Sequence, residues 1–171
     1  IRDSDIGYTD MPEYTAGLNT GFSWKNFDFS MQWTGAWNVD RMLDEFRRPL
    51  GDTNEKGLLL YQYDTTWRSS ADTFTAKFPR TSSLHASNNY AGSDLYLINA
   101  SYLRLKSVEI GYNFNFPFMK KLKMDNCRLY VNGYNLITIT GFKWGDPESR
   151  QSSRPNYPLT RVFNIGLKLG F

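Results

Sequence analysis

One cysteine, Cys127, and one histidine, His85, in 171 residues remove two classes of site at the outset. No internal disulfide can form, and no His-rich metal site can be assembled. Long apolar runs are missing as well: nothing approaches the roughly 20 consecutive apolar residues that a transmembrane helix needs. A charge excess is also lacking, because 20 basic and 17 acidic residues leave a formal charge of +3, and the densest cluster is Lys120, Lys121 and Lys123. Nucleic-acid binding therefore has no electrostatic footprint. No glycine pattern suited to cradling phosphate is present. Asp146 and Glu148 are nearby carboxylates, but Gly-Asp-Pro-Glu is ordinary turn composition, so neither a catalytic residue nor a cofactor is expected. Asn99-Ala100-Ser101 matches the glycosylation sequon, a motif short enough to arise by chance. The sequence opens on Ile1 without a charged-then-apolar leader, which reads as part of a longer chain.

What the sequence has in quantity is aromatic side chains, 16% of residues. That share suits a soluble sandwich or carbohydrate-binding module as well as a transmembrane barrel. Alternation separates them. Phe27, Phe29, Met31, Trp33, Gly35 and Trp37 take one parity, and Asp28, Ser30, Gln32, Thr34, Ala36 and Asn38 the other. Tyr14, Ala16, Leu18, Thr20 and Phe22 alternate just before, with residues 23–26 as a hairpin turn. Val108, Ile110, Tyr112 and Phe114 repeat the pattern until Pro117 stops it. Cys127, Leu129, Val131, Ile137 and Ile139 repeat it again, and Asn135 interrupts the apolar face, which suggests a bulge or a buried polar contact. At the end Phe163, Ile165, Leu167, Leu169 and Phe171 alternate with Asn164, Gly166, Lys168 and Gly170. A lysine in that position is costly in a sandwich core but ordinary on a wet lumen wall.

Five strands follow, at about 14–22, 27–38, 101–115, 127–140 and 162–171, several long enough for the roughly 9 to 11 residues that cross a bilayer. Their connections alternate between short and long, the long ones being about 39–100 and 141–161. Outer-membrane barrels place short turns in the periplasm and long loops outside, whereas a sandwich gives no reason for the asymmetry. Within 39–100, Asp40 is placed to cap a short helix carrying Met42, Leu43 and Phe46 and ended by Pro49. Residues 57–63 read as a further ordered piece, and 81–93 as irregular.

Strand parity predicts that Asn19, Asp28, Gln32, Glu109, Arg128, Asn132 and Lys168, with Asn38, face the lumen. Phe29, Met31, Trp33, Ile110, Leu129, Val131, Ile165 and Leu167 would face lipid. Phe22, Trp24, Phe114, Phe116 and Phe171 would form an aromatic girdle at the short-turn end, with Trp37, Phe142 and Trp144 opposite. The loop aromatics Tyr61, Tyr63, Trp67, Tyr90 and Trp144 suit sugar stacking, loop packing or partner contact equally.

Several segments resemble the SusC/RagA family of TonB-dependent outer-membrane transporters. The first is Ser101-Tyr102-Leu103-Arg104-Leu105-Lys106-Ser107-Val108 with Gly111-Tyr112. Others are Leu129-Tyr130-Val131 with Asn135-Leu136, Gly145-Asp146-Pro147-Glu148, Tyr157-Pro158-Leu159-Thr160-Arg161 and the closing Gly166 to Phe171. Ile6-Gly7, Pro12, Tyr14, Gly17 and Trp24 to Asp28 agree as well. The resemblance implies an all-β transmembrane antiparallel barrel of about 22 strands with a plug. Residues 1–171 would be its C-terminal segment, contributing the last five strands, and the plug would lie outside this chain. It further implies a Gram-negative outer-membrane importer of glycans or peptides. Its expected partners are the lipid bilayer, a SusD-like lipoprotein, the TonB complex through the missing N-terminal part, and the barrel-assembly machinery. In that reading Phe163, Ile165, Leu167, Leu169 and Phe171 form the assembly signal. The alternative is a barrel that serves as a structural or binding scaffold in a surface assembly.

Overall fold

The structure, a computed structural model, describes residues 10–42, 60–72, 74–81, 89, 91–115, 117, 123–149 and 159–171. They divide into two compact units, one holding a large sheet (Pro12–Asn38, Ala100–Pro147 and Tyr157–Phe171) and the other Ile1–Met11, Val39–Asn99 and Glu148–Asn156.

The sheet unit is built from β1 (Tyr14–Trp24), β2 (Phe27–Trp37), β5 (Tyr102–Phe114), β6 (Asn126–Thr140) and β7 (Val162–Gly170). The strands lie side by side in the order β1-β2-β5-β6-β7, and every pairing is antiparallel. This neighbour-to-neighbour course puts the connections after β1 and β5 at one end and those after β2 and β6 at the other. β1 runs two residues past the expected boundary and turns on Lys25 and Asn26 alone. Lys25 has a φ of 53°, the left-handed conformation that suits a two-residue hairpin to the strand twist. β2 ends at Trp37 because Asn38, with φ 55°, leaves the ladder, and its amide donates to Glu13 Oε2 at 2.9 Å.

Two register shifts shape the sheet. Between β2 and β5 the pairing slips at Gln32/Trp33, and between β5 and β6 at Leu105/Ser107. Asn135, with φ 54°, sits in the second shift, so the residue that breaks the apolar run is also where β6 gains a residue over β5. Through both shifts the register keeps one face continuous. Phe29 lies opposite Phe22 and Ile110, Met31 opposite Val108, Trp33 opposite Leu105, and Ile110 opposite Val131, which in turn faces Ile165.

That face is apolar and open: Phe163 is 70% exposed, Ile165 74% and Leu167 57%. A soluble sheet hides such a face against a second layer, and among the described residues of this unit no second layer covers it. Near the short-turn end the aromatics cluster, Phe22 to Phe29 at 5.4 Å, Phe27 to Tyr112 at 4.7 Å and Tyr112 to Phe114 at 4.8 Å between centroids. Phe142 departs from the girdle expectation. It is 4% exposed, because its N–H bonds the Thr140 hydroxyl at 3.1 Å and turns the chain off the strand. Phe116 lies outside the described residues.

Sheet edges along β1 and β7 and an apolar face left largely open predict that residues 1–171 expressed alone aggregate without detergent. A monodisperse, cooperatively melting monomer in size-exclusion chromatography and calorimetry would instead identify a soluble β domain.

The other unit is smaller in its regular structure. Asp40 does not cap a helix. It opens β3 (Asp40–Met42), which pairs antiparallel with β4 (Leu97–Asn99), so a partner strand decides the conformation where local propensity pointed elsewhere. Leu43, Phe46 and Pro49 lie outside the described residues. Residues 60–65 form α1 (Leu60–Thr65), whose Thr65 hydroxyl donates to the Tyr61 carbonyl at 2.6 Å. Phe78 and Tyr96 form its small core, with Met42 and Tyr61 packed against them. Asp72 accepts the backbone N–H groups of Arg68 and Ser69 at 3.0 Å, which holds its carboxyl below the usual range.

Candidate functional site

The second face of the large sheet carries the polar residues. Register places Asn19 opposite Gln32, Asp28 opposite Gly111, Glu109 opposite Asn132, and Arg128 opposite Lys168, so seven of the eight residues singled out by parity share one face, and Asn38 alone of them has left the ladder. Four of them meet. Arg128 donates through Nε to Asp28 Oδ1 at 3.0 Å, through Nη2 to the other Asp28 oxygen, and through Nη2 to Glu109 Oε1 at 2.7 Å. Glu109 accepts in turn from the Asn132 amide at 3.2 Å.

Two further residues extend the chain of contacts. Asn113 donates to Asp28 Oδ1 at 3.1 Å, and Asn164 donates to Asn132 Oδ1 at 2.9 Å. The belt thus crosses β2, β5, β6 and β7, while Asn19, Gln32 and Lys168 stand on the same face outside it.

Arg128 must pass over β5 to reach Asp28, and neighbouring strands lie about 4.8 Å apart. Gly111 makes that crossing possible. A Cβ there would lie 2.4 Å from Arg128 Nη2, inside any allowed contact. Gly166 plays the same part for Tyr130, whose ring would stand 2.3 Å from an added Cβ. The Arg128 guanidinium sits 5.1 Å from the Tyr130 ring. With side-chain exposures of 19% for Arg128, 28% for Asp28 and 32% for Glu109, the belt is half wet. Its ion pairs are partly screened, and geometry more than Coulomb energy is what it supplies.

A second polar cluster lies nearer the other end of this face. Arg104 is 1% exposed, and its Nη2 donates to both oxygens of Asp146 at 2.8 Å. Its Nε donates to the Thr138 hydroxyl at 3.1 Å, and its guanidinium lies 5.3 Å from the Tyr102 ring. Parity reasoning missed Arg104 because the register shifts beside Lys106 exchange the faces of β5. The available signal was a single arginine among leucines in Leu103-Arg104-Leu105. Asp146, one of the two carboxylates of Gly145–Glu148, is thus engaged by this arginine. Among the described residues there is no group of three His, Cys, Asp or Glu side chains that could hold a metal ion, and no helix is long and apolar enough to cross a membrane.

No family model matches the chain. TonB-dependent receptor P3 of Formosa agariphila is 29% identical over 177 residues, covering 94% of this chain and 16% of that protein. TonB-dependent receptor SusC of Bacteroides thetaiotaomicron is 28% identical over 157 residues, covering 91% of this chain and 15% of that protein. The structure of the RagAB peptide transporter superposes with a TM-score of 0.74 at 21% identity, over 96% of this chain and 18% of the matched one. The chain is SusC/RagA-like. It spans less than a fifth of the length of each of these proteins. In this SusC/RagA-like chain, two of the segments that carry the resemblance meet in space: Arg104 comes from the Ser101–Val108 motif and Asp146 from Gly145–Glu148.

Proposed function

We propose that this chain is a wall segment of an outer-membrane TonB-dependent importer of oligomeric nutrients, the five-stranded sheet being one arc of a closed barrel of about 22 strands. One observation carries the reading: a single antiparallel sheet has an open apolar face and a hydrogen-bonded polar face, with its long connections at one end. In water the apolar face is a liability; in a bilayer it is the only acceptable outer surface. The polar face then lines the lumen, where the belt from Asp28 to Asn164 meets plug, water or cargo. Residues 39–100 and 141–161 become extracellular, and a SusD-like lipoprotein covers the mouth. Phe163, Ile165, Leu167 and Leu169 present one apolar face of an edge strand, a form that the assembly machinery can extend by strand pairing, with exposed Phe171 just beyond.

The cargo class is tested by uptake. Cells lacking the full-length protein should fail to accumulate a labelled oligopeptide pool or a labelled oligosaccharide pool, and the pool affected names the cargo. Restoring the protein should restore uptake only while TonB is present. Unchanged uptake of both pools in the deletion strain would overturn the importer and leave a scaffold in a surface assembly.

A further inference from the structure

The chain leaving β6 could run outward into the loop, yet Asp146 returns to the polar face and closes on Arg104, two residues inside the start of β5. Three features make this return specific. Thr140 ends the strand by donating its hydroxyl to the Ser101 carbonyl at 2.8 Å and accepting the Phe142 N–H. Gly145 has a φ of 129°, a backbone conformation that side-chain-bearing residues rarely adopt, and Pro147 fixes the direction just after Asp146. Arg104 is itself immobilised, with Thr138 on Nε and Tyr102 beside the guanidinium, so the fork that receives Asp146 is already oriented.

We propose that residues 141–147 form a fixed sill folded over the inner wall at the long-loop end, and that the Arg104–Asp146 pair is the latch that holds it there. The inference rests on the reading of the polar face as a lumen wall. A pair this buried is worth far more in position than in net stability: uniting the ions is offset by desolvation, but removing one partner strands the other charge. Closed, the latch holds the sill on the wall, and opening it would leave the buried Arg104 without the Asp146 carboxylate. Cargo entering along this arc passes over an immobile edge and not under a waving loop.

The test uses the full-length protein in nanodiscs, with hydrogen exchange read on peptides covering 141–147 and on β5 and β6, and heat-modifiable migration as the measure of an assembled barrel. Asp146→Asn keeps the shape and removes the charge; Arg104→Gln removes the other partner. Each should raise exchange in 141–147 by about tenfold or more while β5 and β6 stay protected. The double variant should be no worse than the more severe single one, as expected when both act through one contact. An assembled barrel whose 141–147 exchange is unchanged by Asp146→Asn overturns the latch. Exchange that rises equally in the strands also overturns it, by making the pair a part of the wall. Loss of the heat-modifiable form in the wild-type protein would instead overturn the barrel reading, independently of the latch.

Discussion

Arginine introduced at Met31 is expected to destabilise the full-length protein by about 2 to 4 kcal/mol, and arginine at the adjacent Gln32 by much less. The two positions are neighbours in sequence and opposites in environment. Met31 lies mid-strand in β2, across from Val108, on the face that carries Phe29, Ile110 and Val131. A guanidinium there has no hydrogen-bond partner in hydrocarbon and must snorkel along roughly half a bilayer leaf or draw water in after it. Gln32 lies across from Ser107 on the face of the belt, where an added cation stays solvated. Denaturant unfolding in liposomes measures both costs. Equal costs would mean that the two faces see the same solvent, and the assignment of one to lipid would fail.

How much of this was legible beforehand depended on whether a property is set by local alternation or by pairing. Strand positions and the apolar identity of Phe27 to Trp37 or Phe163 to Leu169 follow from a period of two, which each strand carries by itself. Asn135 was visible as an interruption for the same reason. Arg104 was not, because its face is decided by the register slips beside it, and a slip of one residue sends every later side chain to the opposite side. The strand at Asp40–Met42 was hidden for a different reason. Its partner Leu97–Asn99 lies more than fifty residues away, and nothing in a three-residue stretch announces a pairing that distant. The belt shows both limits together: its charged residues were found by parity, but their mutual contact needs Gly111, whose role is the absence of a side chain.

That absence yields the sharpest expectation. Gly111→Ala should destabilise the full-length protein by about 1 to 3 kcal/mol, the usual cost of overpacking, although alanine in a strand is ordinarily better than glycine by roughly 0.5 to 1 kcal/mol. The added methyl occupies space now held by the Arg128 guanidinium, with Nη2, Nε and Cζ all within 2.6 Å of the new Cβ. Arg128 cannot keep its reach to Asp28 once β5 carries a side chain there. Its displacement leaves the Asp28 and Glu109 carboxylates on the same face without the cation between them, and Asn113 remains the amide on Asp28. The sign of the substitution should therefore depend on residue 128. In an Arg128→Ala background the steric conflict is gone, so Gly111→Ala should become neutral or stabilising. Denaturant unfolding of the four proteins in the cycle gives the coupling directly. Additive effects would show that Gly111 is tolerated for reasons unrelated to Arg128, and that the crossing from β6 to β2 does not constrain the wall.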